Sequence, residues 1–207
     1  MKRGKFITFE GIDGAGKSTH LAWTADKLRG QGVGLIVTRE PGGTVLGEQL
    51  RQILLAGEQR IHPETEALMM FTVRRQHLEE VIRPALKRGD WVLCDRFTDA
   101  SFAYQGGGRG VAKDKLDALE RWVHPDLQPD LTLLLDVSAE LGQSRVSRIK
   151  SPDRFEREDV GFFSRVRDAY LERLQQWRKR MVRLDGSKPT ADIQQEIWQR
   201  LLAIWKQ

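Results

Sequence analysis

A glycine-rich turn between an apolar run and a helical stretch constrains the fold of this 207-residue chain more than any other feature. Gly11–Ser18 follows the apolar run Phe6–Phe9, and it has two glycines five positions apart directly before Lys17 and Ser18. Such glycines let successive backbone amides point inward, and the helix that starts at Lys17 adds its positive N-terminal end. The segment therefore predicts a P-loop, in which Lys17 reaches the outer phosphates of a nucleotide and the Ser18 hydroxyl holds Mg²⁺.

Short apolar runs elsewhere in the chain predict further strands of one sheet. They are nearly continuous in hydrophobicity, which is typical of parallel strands covered on both faces. The predicted strands are Phe6–Phe9, Val33–Thr38, Trp91–Cys94, Leu131–Leu135 and Met181–Leu184. The predicted helices are Lys17–Arg29, Thr44–Leu55, Pro63–Lys87, Lys113–Val123, Ala139–Arg148, Phe162–Arg180 and Ala191–Trp205, and glycine clustering predicts a mobile loop at Gly106–Gly110. This alternation indicates an α/β fold, a five-stranded parallel sheet flanked by helices on both faces, in a single domain over residues 1–207.

Composition and charge exclude some classes of protein. The chain has 34 Lys and Arg residues against 29 Asp and Glu, a formal net charge of +5 that suits an anionic partner without distinguishing nucleic acid, membrane surface or nucleotide phosphates. Cys94 is the only cysteine, so neither a disulfide nor a cysteine-based zinc site can form within the chain. No apolar run approaches the roughly 20 residues of a membrane span. We therefore expect a cytoplasmic protein that does not insert into a membrane.

Polar residues follow two of the predicted strands at their carboxyl ends. Asp95 and Arg96 come directly after the third strand, and Asp136 follows the fourth. Ligands of open α/β sheets bind beyond these strand ends. Asp95 can therefore hold Mg²⁺ or its waters together with Ser18, and Arg96 offers a planar fork for a phosphate. Whether Asp95, Asp13 or Asp136 is the main carboxylate on the metal side stays open at this point.

Five motifs occur in order along the chain: Phe9–Thr19, Thr38–Thr44, Asp95–Arg96, Ala103–Gly106 and Asp153–Glu156. In that order they resemble bacterial thymidylate kinases, which belong to the P-loop nucleoside monophosphate kinases. The resemblance implies direct in-line transfer of the γ-phosphate of ATP to thymidine 5′-monophosphate (dTMP), with Mg²⁺, as a step of dTTP biosynthesis. It further implies a homodimer with small-molecule substrates and no nucleic-acid partner. Trp122 and an apolar stripe around Leu68 and Val81 are candidates for the dimer face.

The resemblance also implies roles for single residues. The catalytic residues are Lys17, Arg96, Arg148 and Arg154, the last two in a lid at about 145–158. The ATP and metal contacts are Gly11, Asp13, Gly14, Ala15, Gly16, Lys17, Ser18, Thr19 and Arg145, with Ser18 and Asp95 on the metal. The dTMP contacts are Asp13, Glu40, Arg51, Phe71, Arg74, Arg96, Ser101, Tyr104 and Gln105.

Base recognition is predicted on the helix that contains Phe71 and Arg74, which are three positions apart and share a face. In the family an aromatic ring stacks on thymine and an arginine bonds the carbonyl edge. The two residues are commonly four apart there, a spacing that Met70 has from Arg74 and that Phe71 has from Arg75, and the alignment from His77 to Pro84 favours Arg74. By the same resemblance Tyr104 lies against the 2′ position of the sugar, and Gln105 bonds the base or holds its loop.

Other functions stay open on sequence grounds. The nearest is another nucleoside monophosphate kinase. A P-loop ATPase that acts on nucleic acid would suit the basic charge, but the chain has no basic strand platform studded with aromatic residues. A nucleotide-regulated switch would need a GTP-reading Asn-Lys-x-Asp string, which is absent.

Overall fold

The computed structural model describes residues 3–56, 60–146 and 153–205, and a five-stranded sheet forms its centre. The strands are β1 (Phe6–Glu10), β2 (Leu35–Arg39), β3 (Trp91–Asp95), β4 (Leu131–Asp136) and β5 (Met181–Asp185). They all run parallel, in the order β2-β3-β1-β4-β5. The predicted five-stranded parallel sheet is confirmed, and the strand ends differ from the predicted ones by one or two residues.

Helices connect these strands, as crossovers between parallel strands require. They are α1 (Lys17–Arg29), α2 (Val45–Ala56), α3 (Pro63–His77), α4 (Arg83–Arg88), α5 (Thr98–Ser101), α6 (Lys113–Val123), α7 (Ala139–Val146), α8 (Val160–Gln176) and α9 (Thr190–Trp205). Two π-helical segments, Leu78–Ile82 and Phe102–Gly108, join α3 to α4 and continue α5. None of the helices in the described ranges is long and apolar enough to cross a membrane.

Alternate side chains of the central strands belong to two different hydrophobic clusters. Ile7 and Phe9 of β1 belong to one cluster, which α1, α8 and α9 cover. Phe6 of β1 belongs to the other cluster, which α3, α4 and α6 cover. Because successive strand residues point to opposite faces, the two clusters lie on the two sides of the sheet. The helices therefore bury both faces, as the near-continuous apolar strands predict.

The predicted helix Pro63–Lys87 is interrupted by the first π-helical segment. Pro84 has no backbone N–H, so it cannot donate to the carbonyl of Glu80 in a regular α-helical turn. The chain accommodates this by widening its turn, and the Arg83 amide donates to the carbonyl of Leu78, five residues back.

The predicted loop at Gly106–Gly110 is wrong over its first half, because the second π-helical segment extends to Gly108. This segment packs closely on α8. A Cβ added at Gly107 would lie 2.6 Å from the Cβ of Ala169, and one added at Gly108 would lie 2.5 Å from the Phe162 ring. The glycines here permit close packing between helical segments, a tertiary effect that glycine clustering alone does not reveal.

Candidate active site

A cleft of about 450 Å³ opens at the carboxyl ends of β1 and β3. It is the meeting point of the P-loop, the segment after β2, α3, the second π-helical segment and the ends of the predicted lid. Many predicted site residues line it: Asp13, Gly14, Gly16, Lys17, Ser18, Thr19, Glu40, Arg51, Arg74, Asp95, Arg96, Ser101, Tyr104, Gln105 and Arg145. Gly11 and Ala15 lie beneath it in the loop, and Arg148 lies outside the described residues.

The P-loop holds its shape because glycine occupies its tight positions. Gly11 has a φ of 134°, and a Cβ there would lie 2.3 Å from the carbonyl oxygen of Leu135. Gly16 has a φ of 92° and begins α1 without a side-chain cap. The first amides of α1 are therefore available to an anion, which the positive end of the helix also attracts.

Lys17 lies inside this loop and is mostly buried. Its Nζ donates to the carbonyl oxygens of Gly11 at 3.2 Å and Ile12 at 3.0 Å, and lies 3.9 Å from a carboxylate oxygen of Asp13. Burial, and then the positive charge of Arg96, lower the pKa of Lys17. An incoming phosphate would add negative charge beside this ammonium group, whose ion pair with Asp13 is long.

Arg96 lies at the junction between the P-loop and the second π-helical segment, where several hydrogen-bond acceptors hold its guanidinium group. Its backbone has a φ of 70°, a left-handed conformation that is uncommon outside glycine. Nη1 donates to the carbonyl of Gly11 at 2.8 Å and to the Tyr170 hydroxyl at 3.1 Å. Nη2 donates to Asp13 at 2.6 Å and to the Tyr104 hydroxyl at 2.9 Å. The guanidinium is thus fixed before any phosphate arrives.

Asp13 is the carboxylate that pairs with both Arg96 and Lys17. Tyr104 donates its hydroxyl to Asp13 Oδ2 at 2.9 Å. Burial alone would raise the pKa of Asp13, but Arg96 and Lys17 outweigh it and bring the pKa below its usual value. The carboxylate is therefore ionised near neutral pH and bridges the P-loop to the second π-helical segment.

The residues proposed for a metal fit one in their chemistry. Ser18 Oγ donates to Asp95 Oδ2 at 3.4 Å, and Asp95 Oδ1 is buried without a hydrogen-bond partner in the described parts of the chain. A hydroxyl beside an unpaired carboxylate oxygen is an oxygen-rich pair of the kind that Mg²⁺ uses with nucleotide phosphates and water. Asp136 is a different case, because Arg167 at 2.6 Å and Arg183 at 2.8 Å occupy its oxygens.

Arg74 is the buried guanidinium at the other end of the cleft. Nε donates to Glu40 Oε2 at 2.8 Å and Nη2 donates to Ser101 Oγ at 3.0 Å. His77 Nδ1 lies 3.0 Å from the other oxygen of Glu40. Burial alone would raise the pKa of Glu40. Arg74 and His77 together have the larger effect and bring this pKa below its usual value. Nη1 of Arg74 is buried without a partner among the described residues and is left to meet a ligand.

Phe71 does not reach the cleft, and its predicted stacking role is corrected. Its side chain is 1% exposed and lies under Arg74, with the guanidinium carbon 4.6 Å from the ring centroid. Met70 lines the cleft instead. The reason is rotation along α3, since neighbouring helical residues point about 100° apart and only one of the two can face the cleft.

The lid arginines separate into two groups. Arg145 lines the cleft, and its Nη1 donates to the carbonyl of Gly14 at 3.1 Å. Arg154 does not line the cleft: its Nε donates to the carbonyl of Leu54 at 3.0 Å, and its Nη2 pairs with the buried carboxylate of Glu66. Arg154 therefore points to Glu66 and not into the cleft, and its catalytic role on lid closure stays a prediction. Arg51 lines the cleft and donates to the carbonyl of Pro41 at 2.8 Å.

The sequence prediction missed two buried acids, Glu10 and Glu66, that bond directly to residues lining the cleft. Glu10 accepts the Phe97 amide and the Tyr170 hydroxyl, both at 2.7 Å, and burial, with the charge of Asp99, raises its pKa to about 8. Glu66 has no exposed surface and accepts from Gln105 Nε2 at 2.8 Å. The available signal was an acidic residue directly after an apolar run, which holds for Glu10 at the end of β1.

Comparison with known proteins identifies the family. The thymidylate kinase family profile matches residues 9–197. Thymidylate kinase of Nitrosomonas europaea is 57% identical over 205 residues, covering 99% of this chain and 95% of the relative. That of Cupriavidus necator is 58% identical over 197 residues, covering 94% and 96%. The solved structure of thymidylate kinase from Ehrlichia chaffeensis matches with a TM-score of 0.79 at 33% identity, covering 96% of this chain and 99% of that one. The chain therefore belongs to the thymidylate kinase family, and its reaction is the phosphorylation of dTMP by ATP.

Proposed function

We propose that the cleft contains two substrate sites for this reaction, with Arg96 between them. The P-loop and Arg145 bind ATP on one side, and the residues around Arg74 and Gln105 bind dTMP on the other. The observation that carries the proposal is that one cleft is lined by both the P-loop and Arg74, whose Nη1 is buried without a partner among the described residues. The chain acts as a single domain, with the lid at about 145–158.

Phosphoryl transfer between two phosphates is mainly an electrostatic problem, because two anions must approach each other. Lys17 and Arg145 hold the ATP phosphates, while Arg96 and Arg51 hold the acceptor phosphate. No side chain has to act as a base, since the acceptor oxygen of dTMP is already ionised near neutral pH. The fixed position of Arg96 means that little reorganisation is needed as charge develops.

Mg²⁺ is the proposed cofactor. Ser18 and Asp95 would hold it, directly or through water. Bound there, the cation would neutralise charge on the transferring phosphoryl group. The unpaired oxygen of Asp95 supports this choice over Asp136, whose oxygens are taken by arginines.

Recognition of thymine is assigned to Arg74 and Gln105. Nη1 of Arg74 donates to a base carbonyl, and the amide of Gln105 bonds the neighbouring ring position. Met70, which lines the cleft, supplies apolar contact to the base. The hydroxyl of Tyr104 is hydrogen-bonded to Asp13 and Arg96, which fixes the position of its ring. The ring packs against the sugar of dTMP and sterically excludes a ribose 2′-hydroxyl.

A homodimer is proposed across α2, α3 and α6. These helices expose large apolar side chains: Val45, Leu46, Ile53, Leu68 and Trp122. Trp122 is 80% exposed, and it lines a surface groove together with Leu46 and Leu68. Exposed apolar surface of this extent is uncommon on a monomer and is buried when a second copy covers it. Trp122→Glu should give a species of half the mass in sedimentation experiments, and an unchanged mass would reject this face.

We also propose that the protein works in the cytoplasm. Cys94 is buried as a free thiol, which agrees with a reducing compartment.

The activity assay that tests the residue roles uses ATP, Mg²⁺ and a panel of monophosphates. We expect rapid ATP-dependent phosphorylation of dTMP, slower phosphorylation of deoxyuridine monophosphate and very slow phosphorylation of purine monophosphates. One missing methyl group is worth about 1 kcal/mol, whereas a base that leaves Arg74 unpaired loses several times more. Equal rates for adenosine monophosphate and dTMP would overturn the assignment of the base site.

A further inference from the structure

Glu66 is a fully buried carboxylate that contacts the base side of the cleft through Gln105. It lies on α3, and Oε1 accepts a hydrogen bond from Gln105 Nε2 at 2.8 Å. Its other oxygen, Oε2, pairs with Arg154 and lies 3.6 Å from Nε of Arg109. The residue does not line the cleft, whereas Gln105 does.

Hydrogen bonds to Arg154 and Gln105 fix the two oxygens of this carboxylate. Arg154 donates a hydrogen bond to Oε2 and Arg109 adds its positive charge near the same oxygen, while Oε1 accepts from Gln105. A charged carboxylate has no proton to donate and can only accept. The amide of Gln105 must therefore turn its NH₂ group toward Glu66, whichever way a free glutamine would prefer to point.

The amide of a glutamine carries its donor and its acceptor on opposite sides. With Nε2 committed to Glu66, the carbonyl oxygen Oε1 of Gln105 is directed the other way, and none of the described residues donates to it. Because Gln105 lines the cleft, this oxygen is presented to the base as an acceptor. Arg74 presents a donor to the same base through Nη1.

We propose that Glu66 is a positioning residue that determines base selectivity, since it locks the Gln105 amide with its oxygen facing the base. This inference rests on the proposed assignment of Gln105 and Arg74 to the base site. A donor beside an acceptor matches thymine, which offers the O4 carbonyl and the N3–H group. Cytosine offers an amino donor and an unprotonated N3 acceptor instead. Its amino group would therefore face the Arg74 donor, and its N3 would face the carbonyl acceptor of Gln105.

The substrate pair that tests the lock is dTMP and 5-methyl-deoxycytidine monophosphate. Both carry the same sugar, phosphate and methyl group, and they differ only in the hydrogen-bonding edge of the base. The quantity to measure is the ratio of the two kcat/KM values, because a general loss of catalysis cancels in that ratio.

Glu66→Gln changes the hydrogen bond that orients the Gln105 amide without changing the size of the side chain at position 66. Arg154 and Arg109 require an acceptor, so they hold the oxygen of the new amide and leave its NH₂ group facing Gln105. Gln105 then turns over to accept from it and presents its own NH₂ group to the base. We expect the ratio in favour of dTMP to fall by about tenfold or more, the effect of leaving a buried polar pair mismatched.

A double-mutant cycle separates positioning from a structural role. Gln105→Met removes the amide at nearly constant volume, and it should lower the ratio with Glu66 intact. If Glu66 acts through Gln105, adding Glu66→Gln to Gln105→Met should leave the ratio unchanged. Glu64→Gln is the matched control, because Glu64 lies on the same helix, is exposed and pairs with Lys115 away from the cleft.

The outcomes are distinct. A ratio that falls in Glu66→Gln, stays at the wild-type value in Glu64→Gln and is insensitive to Glu66 in the Gln105→Met background supports the proposal. Equal losses on both substrates, or additive effects of the two substitutions, overturn it and make Glu66 a packing residue. If Glu66→Gln does not fold, a wild-type ratio in Gln105→Met overturns it equally. A wild-type protein that does not prefer dTMP to its cytosine counterpart would instead reject the proposed base site itself.

Discussion

The phosphate side of the cleft is formed by one continuous loop, whereas the base side is assembled from side chains of several separate elements. Gly11–Ser18 presents backbone amides and Lys17 from a single turn. Arg74, Ser101 and Gln105 come from α3, α5 and the second π-helical segment. In the proposed function the loop binds charge, which any triphosphate offers, while the assembled side recognises the shape and hydrogen-bonding edge of one base. Substitutions on the two sides should therefore fail in different ways.

The largest effect is expected from Lys17→Ala on the phosphate side. Removing its ammonium group takes away a charge contact to the transferring phosphoryl group, so kcat should fall by about 100- to 1,000-fold. The KM for dTMP should change little, because Lys17 is assigned to the donor phosphates. Steady-state kinetics with both substrates varied measure this. A near-normal kcat would remove Lys17 from the transfer step.

Arg74→Ala should have the opposite signature on the base side. Removing the donor to the base carbonyl should raise the KM for dTMP by about 10- to 100-fold, with a smaller fall in kcat. It also leaves the buried Glu40 carboxylate without its main partner, so the melting temperature should drop. Arg88→Ala, an exposed arginine on α4, is the control and should change neither quantity. An unchanged KM for dTMP in Arg74→Ala would contradict the division of the cleft.

Glu10 is linked to Arg96 through the Tyr170 hydroxyl, and we expect its titration to change the free energy of unfolding. Its pKa is raised from 4.5 to about 8 in the folded protein, first by burial and then by Asp99. Between those values the folded state binds more protons than the unfolded state, so the free energy of unfolding should decrease as pH rises from about 4.5 to 8. Glu10→Gln lacks this titration, and its stability should gain on wild type by up to a few kcal/mol over that range.

Chemical denaturation at several pH values between 5 and 8 measures this difference. Parallel stability profiles for the two proteins would show that Glu10 is already ionised in the folded state. Tyr170→Phe is a useful companion, since it removes only the hydroxyl that donates to Glu10 and accepts from Arg96.

The smallest effect on turnover is expected from Arg154→Ala. Its guanidinium is held by Glu66 and the carbonyl of Leu54, away from the phosphate side, so kcat should fall by less than about tenfold. Arg145→Ala, which removes a guanidinium that lines the cleft, should lower kcat more. A loss above about 100-fold in Arg154→Ala would mean that the lid carries this residue into the cleft when ATP binds.

Local patterns were sufficient for the sheet and the phosphate side. Each strand is a short apolar run, and the P-loop is contiguous, so its residues lie close together in any structure that contains it. The motif order also located Arg96, Ser101, Tyr104 and Gln105, all of which line the cleft. Their place in the cleft could be predicted because each lies in or beside a short motif whose geometry depends on neighbours in the chain.

Base recognition required the tertiary structure. The helical pattern around Phe71 does not say whether that ring or Met70 faces the cleft, since the π-helical segments and the packing of α3 set its rotation. The partners of buried charges are equally hidden, because Glu66 meets Gln105 at a separation of 39 positions and Arg154 at 88.

The sequence by itself therefore determined the α/β architecture, the nucleotide-binding loop and the family, all of which depend on short patterns and their order. The tertiary structure decided which arginines reach the cleft, which acids are buried and which way the amide of Gln105 faces. The physical reason is that a buried charge or amide is oriented by whatever partner folding brings within about 3 Å of it, and that partner is not encoded in the local pattern.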